Sequence, residues 1–356
     1  MARSLRVLMM TQVLDRHDQV LSFTHDWVAA LAARVERLVV MPVRAGDYSL
    51  PGNVVVESLG KERGLGRPGR AAAFLRTLER HIREVDVLFA HMIPRYVLTA
   101  APLAALYRKP ITLWYTHREA SLELRLAVPL TRHIATAHPS SFPIASPKVH
   151  ALGHGINTAA FQPAPAPPDD PPLIVSLARL SPIKRHETLI RAAAILRDRY
   201  GDPPARYAIA GGTLPGQPAD YADFLRREVD RLRVGDRVTL WGPIPAEGVR
   251  GVFHEASLAF NGSPPGLFDK VVLEGLLCAV PTVVANPAFD DLLGEYSDHL
   301  RIPDGSDAEA LAARLNALLR LTAEERRAIG LTLSARVAAA HSLDRLMDRL
   351  VALMAS

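Results

Sequence analysis

The chain has 356 residues, a formal net charge of +5, 49% apolar residues and 22% charged ones. That is enough for two hydrophobic cores and too balanced for a disordered or fibrous chain. A single cysteine, Cys278, excludes an intrachain disulfide, no Cys/His spacing suggests zinc, and no window reaches the roughly 20 apolar residues of a membrane span. The expectation is a cytoplasmic protein, with the inner face of a membrane as its furthest reach.

The run Met1–Met10 lacks the charged, apolar, small-residue order of a signal peptide and reads as a first buried strand. Apolar runs then alternate with amphipathic stretches. Strands are expected over 5–10, 37–41, 53–57, 85–90, 111–115, 133–137 and 148–152, and helices over 22–33, 69–83, 96–107 and 119–130. Such alternation builds a parallel sheet with helices on both faces. The loop Asp15–Gln19 after the first strand has no glycine; its charges suit a pocket lining, with Asp18 a candidate base, or a plain solvated loop. His91 follows Leu88-Phe89-Ala90, and His117 ends the strand Leu113-Trp114-Tyr115. A histidine at a strand's carboxyl end can donate to a ligand hydroxyl or to developing charge; for His91 a satisfied core histidine is the competing reading.

Residues 1–160 hold 20 Lys/Arg against 12 Asp/Glu, a basic half that suits an anionic acceptor, a membrane surface or nucleic acid, and equally the excess arginine of a GC-rich genome. Within 69–83, Arg76, Arg80 and Arg83 share one helical face and Leu75, Leu78 and Ile82 another. The pattern fits a helix lying at an anionic interface and equally an ordinary domain helix. Gly153-His154-Gly155-Ile156-Asn157 reads as a tight turn that Asn157 can cap.

The segment QPAPAPPDDPP, residues 162–172, is a semi-rigid linker, because proline removes backbone donors and stiffens the chain. It separates an N-terminal domain, 1–161, from a C-terminal one, 173–341; the last helix, 342–356, is expected to rejoin the first domain. Beyond the linker, strands are expected over 173–177, 205–210, 237–241, 257–260 and 281–285, helices over 184–200, 221–233, 247–255 and 271–278, and a helical tail over 307–354. Two such domains leave a cleft at the carboxyl ends of their strands.

Two blocks carry chemistry. In LIVSLARLSPIKRHETLIRAAAIL a buried strand is followed by Arg179 and Lys184 beside a helix start, two cations and free amides suited to a diphosphate. In SLAFNGSPPGLFDKVVLEGLLCAVPTVVAN a Gly-, Ser- and Pro-rich loop leads into a helix near Lys270, and Glu274 stands among leucines. A carboxylate there faces water or has a polar partner such as the vicinal hydroxyls of a ribose. Gly211–Gly216 does not fit a dinucleotide-binding fingerprint.

Strand–Arg–four residues–Lys, then strand–Gly–Gly at Ala208–Gly212, strand–Gly at Leu240–Gly242 and a loop ending in Leu-Glu-Gly resemble the family 4 retaining glycosyltransferases of the GT-B fold, two Rossmann-like domains facing each other across a cleft. The resemblance implies hexose transfer from a nucleoside-diphosphate sugar to a hydroxyl acceptor (a glycan, lipid carrier or small molecule), with retention and without metal or other cofactor. It implies donor contacts from Arg179, Lys184, Gly266, Leu267, Phe268, Asp269, Lys270 and Glu274, catalytic assistance from His117, and cleft positions at His91, Gly212, Pro243 and Ile244. Gly266 stands where the family has a second glutamate, and Asp269 is the nearest substitute carboxylate. No Asp-x-Asp follows an expected strand, and no nucleic-acid partner is expected. A sugar-nucleotide epimerase or a non-catalytic nucleotide-sugar-binding protein on the same fold are the alternatives.

Overall fold

A computed structural model describes residues 5–18, 21–164, 171–213 and 220–356. The first four residues of the opening run, Gln19, the middle of the Pro-rich linker and Leu214-Pro215-Gly216 lie outside the described residues. The chain divides into two compact units, Met1–Gly155 with Ser342–Ser356, and Ile156–His341.

The first unit contains β1 (Arg6–Leu14), α1 (Phe23–Ala32), β2 (Arg37–Ala45), β3 (Val54–Val56), α2 (Arg67–His81), β4 (Val87–His91), α3 (Pro94–Leu106), β5 (Ile111–Trp114), α4 (Leu122–Ala127), β6 (His133–Thr136) and β7 (Val149–Ala151). Its seven strands form one parallel sheet in the order β3-β2-β1-β4-β5-β6-β7. Near-continuous Val/Leu/Ile runs produce this arrangement, since both faces of a parallel sheet are covered. Leu8, Met10, Val39, Leu88 and Leu113 pack with Leu78 and Ile82 near the end of α2 and Val97 and Ala104 of α3.

The structure differs from the sequence expectation in three places here. β1 runs to Leu14 and β2 to Ala45, four residues past their expected ends, and they stay paired to the Leu14↔Ala45 register. The extension brings the Asp15–Asp18 loop beside residues 44–47, where Arg44 binds Asp15 and Asp18, and Arg16 binds Asp47 at 2.7 Å. The helix expected over 119–130 ends at Ala127 and gives way to a 3-10 turn, Val128–Leu130, because Pro129 cannot donate to a continuing α-helix. In α2, Phe74 and Leu78 are buried and Leu75 is exposed, so the helix spends its apolar face on the core.

The second unit contains β8 (Leu173–Leu177), α5 (His186–Arg199), β9 (Arg206–Ala210), α6 (Asp220–Leu232), β10 (Val238–Gly242), α7 (Val249–Glu255), β11 (Leu258–Asn261), α8 (Lys270–Leu277), β12 (Thr282–Val284), α9 (Asp290–Leu293), α10 (Ser297–Leu300), α11 (Ala308–Leu319) and α12 (Ala323–His341); α13 (Leu343–Ala355) returns to the first unit. There Arg34, just after α1, binds Asp344 and Asp348 of α13 at 2.8 and 2.6 Å. The five strands of the second unit are parallel in the order β10-β9-β8-β11-β12. The helix expected from Lys184 begins two residues later. Pro182–Lys184 form a 3-10 turn, and Arg185 takes a left-handed conformation (φ 56°, ψ 38°). Such a conformation costs a non-glycine residue roughly 1 kcal/mol, and nothing in Lys184-Arg185-His186 signals it.

Candidate functional site

In the second sheet the strand order reverses beside β8, with β9 on one side and β11 on the other. Ligands of open α/β sheets bind outside the strands' carboxyl ends at such a reversal. The loops leaving β8, β9 and β10 stay in register past the strands: Ala178 N–H donates to Ala210 O at 3.1 Å, Leu180 N–H to Gly212 O at 2.9 Å, and Gly211 N–H to Gly242 O at 2.8 Å. A Cβ on Gly211 would lie 1.8 Å from the Ala178 carbonyl oxygen, so glycine alone fits there. Pro243 packs against Gly212, and Ile244 is a half-buried member of the apolar cluster under the edge.

Arg179 is exposed, and its guanidinium has no partner among the described residues. Its backbone is fixed from beneath. His186 Nε2 lies 3.2 Å from Arg179 O, and Nδ1 lies 2.8 Å from the Ser176 hydroxyl. A carbonyl only accepts, so Nε2 carries the hydrogen and Ser176 donates to Nδ1. Burial holds the His186 pKa down at about 4, which keeps the ring neutral. Its backbone N–H donates to Tyr221 Oη at 3.0 Å, and Tyr221 in turn donates to the Glu187 carboxylate. Sequence reasoning passed over His186, whose only signal is one polar ring opening an apolar helical stripe.

Lys184 does not stand open beside Arg179. It is buried, with Nζ 2.7 Å from both Asp269 oxygens and 3.2 Å from Ser263 Oγ. Asp269 also accepts from Asn261 Nδ2 at 2.9 Å and from Ser263 Oγ. Of the two expected cations, Arg179 is the one left without a side-chain partner among the described residues, and the buried ammonium of Lys184 is held by the nearest carboxylate. Asn261 and Ser263 complete the cluster around Asp269, and no spacing in the sequence singles them out.

Asp269 precedes α8, and no side chain caps that helix. Lys270 Nζ lies 3.4 Å from Glu274 Oε1, an i,i+4 pair on the first turns of α8. Gly266 has φ +88°, a conformation in which a glutamate would be strained. Leu267 O accepts from Asn286 Nδ2 at 2.7 Å. Phe268 is buried and its ring stacks on Phe289 at 4.5 Å, which anchors the segment that leads into α8.

In the first unit the order reverses between β1 and β4. His91 closes β4 inside the core: Nδ1 lies 3.1 Å from Thr11 Oγ1, the Trp27 ring is 5.0 Å away, and Nε2 is buried without a partner. Burial pushes its pKa down to about 4. His117 is exposed beyond β5; its Nδ1 accepts from Glu119 N–H at 3.2 Å and its ring meets Tyr115 edge-on. Asp18 is tied to Arg44 and accepts from Leu21 N–H at 2.7 Å, an occupied carboxylate and not an open base. Gly153 and Gly155 both take positive φ, and Asn157 Oδ1 accepts from Ala159 and Ala160 N–H at 3.2 Å. Cys278 is buried, and burial raises its thiol to about 12.

Residues 157–331 match the family described as glycosyl transferases group 1. The D-inositol 3-phosphate glycosyltransferase of Mycolicibacterium smegmatis is 31% identical over 188 residues, 51% of this chain and 40% of its own length. That of Mycobacterium tuberculosis is 29% identical over 187 residues, 52% and 37%. The match thus spans two fifths or less of these curated relatives. The crystal structure of Anabaena HepE in complex with UDP has 17% identity and a TM-score of 0.76, covering 98% of this chain and 99% of that one. Sucrose-phosphate synthase from Thermosynechococcus elongatus gives 16% and 0.75, with 98% of each chain covered. The chain has the GT-B fold. At these identities the likeness concerns architecture, and in GT-B terms the group 1 match coincides with the unit that carries Arg179, Asp269 and Glu274. Among the described residues no helix is long and apolar enough to cross a membrane, and no group of three or more His, Cys, Asp or Glu is disposed to hold a metal.

The buried imidazoles give the stability a pH dependence of defined sign. His91 and His186 have folded pKa values near 4, against roughly 6.5 in an unfolded chain. The unfolded state therefore binds protons first, so stability falls as pH drops from about 6.5 towards 4 and is unaffected by these groups above that window. Thermal melts of His91→Phe should show a shallower fall than wild type between those limits; an equal slope would remove His91 from the account.

Proposed function

We propose that this GT-B chain is a retaining glycosyltransferase that moves a hexose from a nucleoside-diphosphate sugar to a hydroxyl acceptor. The observation that carries the reading is the edge beside β8. There an unpartnered arginine and an uncapped helix N-terminus stand at the reversal of strand order, inside the segment that matches the group 1 family. Arg179 supplies charge to the diphosphate, the first amides of α8 supply donors, and Glu274 meets the ribose hydroxyls. The HepE structures with UDP and with UDP-glucose support a uridine donor. The basic composition of residues 1–160 suits an anionic acceptor, and the relatives named for D-inositol 3-phosphate point the same way.

In the retaining reading, the bond from the anomeric carbon to the donor phosphate breaks while a bond to the acceptor oxygen forms on the same face. The departing phosphate takes the acceptor proton, so no side-chain base is needed. That agrees with Asp18 being engaged by Arg44. His117 donates to the sugar, and the protein's work is charge stabilisation, for which no metal is required.

Peripheral membrane contact, if α2 provided it, would have to use a face whose Leu78 is in the core. Besides the exposed Leu65, Leu75, Leu106 and Leu331, three leucines open to solvent are spaced four apart on α4 and the turn after it, Leu122, Leu126 and Leu130, and the exposed cations Arg118 and Arg125 belong to the same segment. We assign contact with an anionic lipid surface to that stripe.

Three outcomes are expected. Arg179→Ala should raise the dissociation constant for UDP or GDP about tenfold, the scale of one charge-assisted contact, and a mixed acceptor pool should release nucleoside diphosphate in the presence of EDTA. A protein that binds UDP-sugar but never releases UDP is instead a binding protein, and one that interconverts the donor is an epimerase. His117→Ala should lower turnover by about 10²–10³ with unchanged nucleotide affinity, and NMR should find the donor's anomeric configuration in the product; an inverted product, or activity lost in Asp18→Asn and kept in His117→Ala, would sink the retaining reading. Sedimentation with anionic liposomes should exceed that with neutral ones and drop in Leu122→Ser/Leu126→Ser, whereas equal recovery removes the lipid surface as a partner.

A further inference from the structure

The ammonium of Lys184 has three N–H donors, and three acceptors surround it: Asp269 Oδ1 and Oδ2 at 2.7 Å each and Ser263 Oγ at 3.2 Å. The pair links the loop after β8 to the loop after β11, two neighbouring strands. Burying a lysine and an aspartate is tolerable only when their remaining hydrogen-bonding capacity is met, and Asn261 and Ser263 meet it for Asp269. Beside this pair, Lys270 and Glu274 also balance each other.

A phosphate oxygen can reach Lys184 Nζ only by displacing Ser263 or a carboxylate oxygen. It would then lie against the Asp269 carboxylate, a like charge in partly buried surroundings. On the reading of this edge as the donor-diphosphate site, we propose that Asp269 sets the charge of that site. It holds Lys184 neutralised and withdrawn, leaves Arg179 as the side-chain cation that meets the diphosphate, and so limits the grip on nucleoside diphosphate. A weaker grip on the nucleotide product favours its release, a step that limits turnover in many enzymes.

Calorimetric titration of the full chain with UDP and with GDP tests this. Asp269→Asn removes the competing charge and should lower the dissociation constant about tenfold, one regained charge-assisted contact. Lys184→Met/Asp269→Asn removes the whole neutral pair and should bind as wild type does, within about twofold, so the gain belongs to Lys184. The double variant leaves no buried charge and keeps the test intact even where Asp269→Asn folds poorly, which thermal unfolding reports. Unchanged or weaker binding in a folded Asp269→Asn, or a tenfold loss in the double variant, would overturn the proposal. If wild type, Asp269→Asn and Arg179→Ala all fail to bind either nucleotide, the reading of the edge as a donor site falls, and this proposal falls with it.

Discussion

The ion pair between Lys184 and Asp269 decides which side-chain cation stands open at the edge beside β8. β8 and β11 are neighbours in the sheet but far apart in sequence, and the loops that follow them carry the starts of α5 and α8. The pair joins one loop to the other at 2.7 Å. The cost of burying the two charges is met by Asn261 and Ser263, which come from the end of β11 and the residues just after it. Arg179 remains outside this balanced cluster, and His186 holds the arginine's backbone by a neutral hydrogen bond that adds no competing charge.

Around that pair the edge is made of backbone brought unusually close. Gly211 sits against the Ala178 carbonyl, and the loops after β8, β9 and β10 continue the ladder of their strands. A ligand at such an edge meets amides and carbonyls held by hydrogen bonds already made, so little ordering remains to oppose binding. Gly266 extends the same logic to the loop before α8, where positive φ turns the chain so that Phe268 anchors in the core while Asp269 points at Lys184.

Much of the architecture was legible in the residues. Apolar runs of four to six between amphipathic stretches mark buried parallel strands, and the motif order from Ala178 to Glu274 names the unit that matches the group 1 family. Boundaries shifted where a single residue decided them. Pro129 cut a helix, and Arg185 delayed one by adopting a left-handed conformation that its residue type does not announce. Side-chain pairing was the illegible part. Lys184 and Asp269 are 85 positions apart, so no spacing rule brings them together, and the same holds for Asp18 with Arg44.

His91, which ends β4, and His117, three residues past the end of β5, show what separates such residues physically. Both follow apolar runs, so sequence treats them alike. His91 lies beside β1, the strand at which the order reverses, and its ring is enclosed by Trp27 and Phe23; losing water there costs a cation so much that its pKa falls to about 4. It can donate or accept a hydrogen bond but cannot carry charge near neutrality. His117 stands one strand further along and beyond the sheet, exposed, with one ring nitrogen fixed by the Glu119 amide. Since Glu119 N–H donates to Nδ1, the hydrogen of the neutral ring sits on Nε2, and that nitrogen is the donor. Water access distinguishes a ring that packs from one that can present a proton to a ligand, and it follows from where each residue stands relative to the end of its strand.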